Sequence, residues 1–316
     1  MTEAFMKALT NDVFYFFNNP VNLNQQDERG QSLLHYAVRT SSVQVISYLL
    51  DNDIDVNLVD SNGESALFDC AKKGKMTIAK QLIKKYANVN IQNKKGEMPI
   101  HLAALRADTD MIKLLMESGS KTDLKTNEGH SLVHYAIKSG SITFFEFILK
   151  NLTCKSKDPD QNRNTLLHIA SELGNVDVVS YLLKDKYNPY LKNNSKETPL
   201  FCAIRSGKVD VLNLLLEEGS YVDIQNRFGE TPLEYAQKTG HFDMADILET
   251  YSNSSVYQRH IKKNPLRYAV LKEDYLLLNE VLLKGIKDQK DAYNLYAVDY
   301  ASKEKLVVFV KKIKES

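Results

Sequence analysis

The chain has 316 residues, with 41 Lys and Arg against 40 Asp and Glu, a formal net charge of +1. That balance excludes a surface basic throughout, of the kind that coats nucleic acid, although charge can still be segregated by face. The 43% apolar content suffices for a packed core, the three cysteines are odd in number and unpatterned, and no apolar run is long enough to cross a bilayer.

At the start, Phe5, Leu9, Val13, Phe16 and Phe17 fit an amphipathic helical pair over 1–26. The cluster Phe14, Tyr15, Phe16 and Phe17 reads as core, against a rival reading as a membrane or partner patch. Glu3 and Asp12 interrupt the apolar residues and no basic-then-apolar layout precedes them, so this is a poor secretory signal. With thiols expected to be reduced, a cytoplasmic setting is expected. A signal for delivery into another cell would not be visible in this way.

From residue 27 one phrase returns. A shift of 33 residues aligns Gly30, Gly63, Gly96 and Gly129, then Leu34, Leu67, Ile100 and Val133, then Ala37, Cys70, Ala103 and Ala136. The copy from Gly96 to Asp123 is the clearest. Gly96 permits a bend with positive φ, Pro99 suits the first position of a helix, and Ile100, Ala103 and Ala104 follow at helical spacing. Met111, Ile112, Leu114, Leu115 and Met116 supply a second apolar face, ended by Gly119. Such a pair of short helices cannot bury its own apolar face and needs a neighbour on each side.

The units read as 27–59, 60–92, 93–125, 126–159, 160–192, 193–225 and 226–258, with 1–26 as an N-terminal capping repeat. The fourth unit has one extra residue, near Leu152–Pro159, where a longer loop is expected. Arg163 and Lys196 stand where other units have the turn glycine, so the bend there is either strained or reshaped. Residues 259–316 continue the apolar spacing and read as one degenerate repeat plus a C-terminal cap; a small separate domain is the rival.

The fragments GQSLLHYAV, GEMPIHLAA, GHSLVHYAI, NTLLHIA, ETPLFCAIRSGKVDVLNLLLEEG and GETPLEYAQKTGH carry a resemblance to the ankyrin repeat family over nearly the whole chain. The resemblance implies an all-α ankyrin-repeat solenoid of stacked helix-turn-helix units with β-hairpin-like loops. It also implies that the histidine of each TPLH-like phrase ties its loop to the next by hydrogen bonds to backbone.

Those histidines, His35, His101, His134 and His168, share one repeat position. Packed helices lie roughly 8–10 Å apart, so they cannot share a zinc ion with bonds of about 2 Å. Cys154 is the cysteine with the best access, and no histidine nearby in sequence activates it. No phosphate-cradling glycine loop or paired-cysteine spacing occurs. No catalytic, cofactor-binding or metal residues are expected, and the chain does not read as an enzyme.

Charge by repeat position is the informative signal. In ankyrin-like stacks the ends of the first helices and the hairpin tips face the concave groove. The partner-binding candidates at those places are Arg39, Lys72, Lys73, Arg106, Lys138, Arg205 and Lys238 at helix ends, and Lys94, Lys95, Lys125 and Arg227 at tips; Arg29 and Lys192 are further tip cations. A basic groove would attract an acidic partner; a merely solvated face is the alternative. The resemblance implies a non-catalytic protein-interaction scaffold or adaptor. An effector or enzyme-bearing protein acting in a host cell, with chemistry in 259–316, is one alternative. Nucleic-acid binding through the basic face is another, disfavoured by the lack of interleaved aromatic residues. Oligomeric state is not legible.

Overall fold

The computed structural model describes residues 2–52, 54–151 and 158–316; Cys154 and most of the loop expected at Leu152–Pro159 lie outside them. The chain divides into two compact units, Met1–Ser156 and Lys157–Ser316. Among the described residues the regular structure is helical, and the hairpin-like tips form only isolated bridges, Gln26 with Ser32 and Val59 with Ser65.

The first unit holds α1 (Glu3–Leu9), α2 (Val13–Asn18), α3 (Leu33–Thr40), α4 (Val43–Asp51), α5 (Ala66–Lys73), α6 (Met76–Lys84), α7 (Pro99–Leu105), α8 (Thr109–Glu117), α9 (Leu132–Lys138) and α10 (Ile142–Asn151). The odd-numbered helices stack in order, α1 on α3, then α5, α7 and α9, and each packs on its own partner helix. The repeat positions explain the stacking. Ala37, Cys70, Ala103 and Ala136 are fully buried where helices approach, and Leu34, Leu67, Ile100 and Val133 fill the interior beside them. Each such large side chain contributes roughly 1.5–3 kcal/mol on burial. In the aromatic cluster at the start, Phe16 is core. Phe14 and Phe17 are exposed, and Phe17 stands edge-on to Tyr48 at 4.8 Å, so the reading of the cluster as core holds only in part.

Between helix pairs the chain forms a tight turn with one repeated hydrogen-bond pattern. Gly63 N–H donates to the Asp60 carbonyl at 2.9 Å and Asp60 N–H to the Glu64 carbonyl at 2.9 Å; Asn93, Gly96 and Glu97 repeat this at 2.8 Å for both bonds. Successive tips are then tied by backbone: Ser61 N–H to the Arg29 carbonyl at 2.7 Å, Lys94 N–H to Asn62 at 2.8 Å, and Asn127 N–H to Lys95 at 2.9 Å. Gly96 (φ +75°) is needed for close approach as well as for its bend, since a Cβ there would lie 2.6 Å from Asn127 Oδ1 and 2.8 Å from Asn127 N.

The histidines add a second tie. His35 Nδ1 accepts the Ser32 N–H at 3.1 Å, which leaves Nε2 protonated to donate to the Glu64 carbonyl at 2.9 Å. His168 does the same between Thr165 N–H (3.2 Å) and the Glu197 carbonyl (2.9 Å). His101 accepts from Met98 N–H at 3.0 Å and bonds the Leu124 backbone. Burial pushes the pKa of both His101 and His168 down to about 4.

The second unit holds α11 (Leu166–Glu172), α12 (Val176–Lys184), α13 (Pro199–Ser206), α14 (Val209–Glu217), α15 (Pro232–Lys238) and α16 (Phe242–Ser252), followed by α17 (Ser255–Lys263), α18 (Pro265–Lys272), α19 (Tyr275–Leu283), α20 (Ala297–Lys303) and α21 (Val307–Lys314). Here α11, α13 and α15 stack. The turns without glycine keep the bend: Arg163 has φ +61° and Lys196 φ +57°, at a strain of roughly 1–2 kcal/mol each. Ion pairs accompany both, Arg163 with Glu304 at 3.0 Å and Lys196 with Glu273 at 2.8 Å.

The C-terminal spacing predicts one degenerate repeat plus a cap. The structure differs in adding the separate helix α17, after which α18 pairs with α19 and α20 with α21. Their polar contacts run back to earlier loops. The Tyr257 and Tyr268 hydroxyls both donate to Asp223, and Lys272 pairs with Asp223 at 2.9 Å. Arg267 lies 4.0 Å over the Tyr190 ring, donates to the Tyr221 hydroxyl at 3.0 Å and pairs with Asp291 at 2.9 Å. Helix α18 still stacks on α20, with Ala269 and Ala301 fully buried, and its tyrosine and cation side chains are additions to that packing. A further tip forms at Asp291–Leu295, with Asn294 (φ +60°) in the glycine position.

Three outcomes are expected. Nothing lies within 4 Å of the place a Cβ would take at Gly119 (φ +86°), so Gly119→Ala costs only conformational strain, about 1–2 kcal/mol. Gly96→Ala carries the same strain plus the clash with Asn127, and its urea midpoint falls further; equal midpoints would contradict the tip contact. For His168, the folded pKa of about 4 lies below the unfolded value near 6.5. The unfolded chain therefore gains protons first, and stability drains as pH falls from about 6.5 to 4. His168→Gln, which keeps a hydrogen-bonding side chain at a position Glu234 fills in another unit, should reduce the fall of melting temperature over that interval, the share of His101 remaining. Arg267→Ala leaves Asp291 buried without its cation and should cost roughly 3–5 kcal/mol, read by denaturation and by faster proteolysis of residues 255–316.

Candidate functional site

Each of the two units carries part of the predicted cation set, and its surroundings decide what each cation can do. In the first unit, Arg39 contacts Gln31 Oε1 at 3.2 Å and Asp69 Oδ2 at 3.5 Å. Lys72 pairs with Glu64. Lys138 Nζ lies 3.2 Å from His130 Nδ1, and Lys125 is half-buried. In the second unit, Arg205 donates to Glu197 at 2.8 Å and to Glu172 at 2.9 Å, and Lys238 pairs with Glu230. Arg227 is exposed and lies over the Phe228 ring at 4.7 Å.

A rule runs through these pairs. The residue just after the turn, at Gln31, Glu64, His130, Glu197 and Glu230, meets the first-helix end eight positions later, at Arg39, Lys72, Lys138, Arg205 and Lys238. The tip folds back along the first helix, so the spacing of eight becomes a contact. Three of those pairs match a carboxylate with a cation, and the positive charge at Lys72, Arg205 and Lys238 is neutralised from within. Sequence reasoning missed this, although the spacing was there to be seen.

Lys73, Lys94, Lys95 and Arg106 escape the rule. All four are exposed, and none makes a side-chain ion pair among the described residues. Arg106 instead donates to the Lys72 carbonyl at 3.3 Å, which sets the end of α7 beside the end of α5. The third unit has Leu105 where others have the paired cation, and Leu105 is 45% exposed. Its Glu97 accepts from the Tyr135 hydroxyl at 2.6 Å and from Asn93 at 2.9 Å; these hydrogen bonds outweigh burial and hold its pKa below the usual carboxylate value. Lys192 is a correction to the expected tip cations. It is buried and donates to the Leu271 carbonyl at 2.6 Å and to Glu273 at 3.1 Å, so it presents nothing to a partner. Burial lowers its pKa against the pull of Glu273.

For catalysis the described residues offer little. Cys70 and Cys202 are buried, and burial pushes both thiols up to about 12, far from a reactive thiolate. Among the described residues no group of three His, Cys, Asp or Glu side chains is placed to hold a metal ion, and no helix is long and apolar enough to cross a membrane. The second unit contains an open pocket of about 700 Å³ lined by Lys262, Lys263, Arg267, Lys287, Asp288 and Lys290, among others. It lies where α17 meets α18, beside the loop after α19.

A family model described as ankyrin repeats (3 copies) matches residues 4–93, 70–158 and 146–226. Among solved structures, the crystal structure of the human ASB11 ankyrin repeat domain is similar over 73% of this chain and 97% of its own length, with 27% sequence identity and a TM-score of 0.56. No curated protein matches. With the returning phrase, the stacked helix pairs and the tied tips, the matched spans cover well over half of the sequence, and the chain belongs to the ankyrin repeat family.

Proposed function

We propose that the chain is a non-catalytic scaffold that holds a protein partner, and that the first unit grips an acidic segment of that partner through Lys73, Lys94, Lys95 and Arg106. Ankyrin repeats are in general protein-interaction scaffolds, which supports the broader half of this reading. The observation that carries the narrower half is the difference in pairing. Cations one position earlier on the first-helix ends, Lys72, Arg205 and Lys238, are paired with carboxylates, whereas these four are exposed and form no ion pair among the described residues. An unmatched cation on a fixed helix end or turn raises the approach rate of an anionic partner and forfeits no internal pair on binding. Exposed Leu105 among them supplies apolar contact area.

The test is a comparison of two reversals. K73E/K94E/K95E/R106E should weaken binding of a fluorescent Glu-rich peptide at least about tenfold and abolish its salt dependence. K72E/K238E, which reverses two internally paired cations, should change affinity by less than about threefold, in keeping with the small worth of exposed pairs. Equal losses from both variants, or none from the first, would remove the assignment of the partner face.

A further inference from the structure

Beyond the family match, the second unit holds the pocket of about 700 Å³ at the α17–α18 junction, a size suited to a small molecule. The loop from Gly285 to Ala292 that follows α19 forms one wall, and Lys262 to Arg267 form the other. Two lysine pairs far apart in the chain, Lys262 with Lys263 and Lys287 with Lys290, therefore border one recess. All four are exposed, and none forms an ion pair among the described residues; Lys290 meets the Tyr296 ring at 5.5 Å. Lys262 and Lys263 also lie in the last turn of α17, where cations suit the carbonyl end of a helix. Lys287 and Lys290 stand on a loop and have no such use. Like charges gathered around one recess repel one another, and an anion placed between them relieves that repulsion.

The carboxylates of the lining hold the recess in shape. Asp288 accepts the Ala297 and Val298 N–H groups at 2.8 and 3.0 Å, which fixes the lysine-bearing loop to the start of α20. Asp291 accepts from Arg267 at 2.9 Å and from the Tyr300 hydroxyl at 2.6 Å. Arg267 in turn lies over the Tyr190 ring at 4.0 Å, so its guanidinium is part of the wall. The charge left without a partner is positive. Helix α18 also begins here, at Pro265. The Asn264 side chain does not cap it, and the Leu266 and Arg267 N–H groups donate to no described acceptor. Such first-turn N–H groups are hydrogen-bond donors suited to an anion.

We infer that this recess binds a compact, soluble small molecule bearing several phosphate groups, a polyphosphorylated polyol, between Lys262 and Lys263 on one wall and Lys287 and Lys290 on the other. Three observations select that class. The recess is concave and bordered by lysines on two walls, so phosphates clustered on one small ring meet both pairs at once. A phosphate monoester carries about 1.5–2 negative charges near neutral pH, a density that carboxylates spaced along a peptide do not reach. No aromatic residue lines the recess, so the base of a nucleotide would find no ring to stack on. The surface beside it is not uniformly basic, since exposed Glu280 on α19 pairs with Lys284, and a flat anionic bilayer is not matched there. The site belongs to the second unit and is separate from the partner face proposed for the first.

The test is calorimetric titration of the full chain with myo-inositol hexakisphosphate at about 0.15 M salt. Saturable binding of one molecule per chain is expected. K262E/K263E/K287E alters only exposed positions, so its circular dichroism should match the parent while its affinity falls at least about tenfold. K305E/K311E/K314E makes the same change of charge at exposed lysines outside the recess and should lose less than about threefold. K73E/K94E/K95E/R106E should bind like the parent, which separates this inference from the partner face of the first unit. Absence of saturable binding overturns the proposal, as do equal losses from the two lysine triples, which would mark general charge attraction. So does ATP or a Glu-rich peptide binding the recess as tightly as the hexakisphosphate, or capture by phosphatidylinositol 4,5-bisphosphate vesicles without binding of the free hexakisphosphate.

Discussion

A single backbone hydrogen bond, from one turn to the turn before it, sets the constraint on which the first unit and the repeats of the second depend. Ser61 to Arg29, Lys94 to Asn62, Asn127 to Lys95, Asn194 to Asn162 and Arg227 to Ser195 all form it, at 2.7 to 2.9 Å. A polar backbone group buried without such a partner would cost roughly 1–3 kcal/mol. The bond holds the tips close enough that a Cβ at Gly96 would collide with Asn127. It thereby places the histidine of the following helix within reach of the next carbonyl. The period of 33 residues is the chain length needed to return to that bond.

This makes clear why so much was legible and where legibility stopped. Features that recur with the period can be seen as alignments: the turn glycines, the small residues between helices, the histidine ties. Position alone did not tell that Lys72, Arg205 and Lys238 are already matched. That needed the turn to fold back on its helix, which converts an offset of eight into a contact with Glu64, Glu197 or Glu230. The turn at Asp291–Leu295 escaped notice because Asn294 takes the left-handed conformation in place of glycine, which Asn does at lower cost than most residues.

Helix α17 and the contacts that follow it were illegible for a different reason. Lys192 meets Glu273 and Arg267 meets Tyr221 across 81 and 46 residues of chain, and neither separation is a multiple of the period. The seam is built from buried charge. Arg267 and Asp291 are 7% and 2% exposed, and burying such a pair gains little net stability because desolvation offsets attraction. It does penalise every other register, since a slip would strand a charge. Apolar burial at Leu266, Val270, Leu278 and Tyr300 supplies the attraction, and the charged seam favours one register of it.

That same seam explains why outer faces remain bare. Helices α18 and α20 direct their buried side chains, Leu266, Tyr268, Ala297 and Tyr300 among them, inward and toward earlier loops. In a repeat stack the second helix of each pair would next be flanked by another pair. Here α21 of the next pair packs against α19, which is rich in leucine around its whole circumference. A helix of that composition calls for apolar contact on more than one side. One side is supplied by α18 and α21. The other bears Leu276 and Leu283, with the Glu280–Lys284 pair on the same side of the helix.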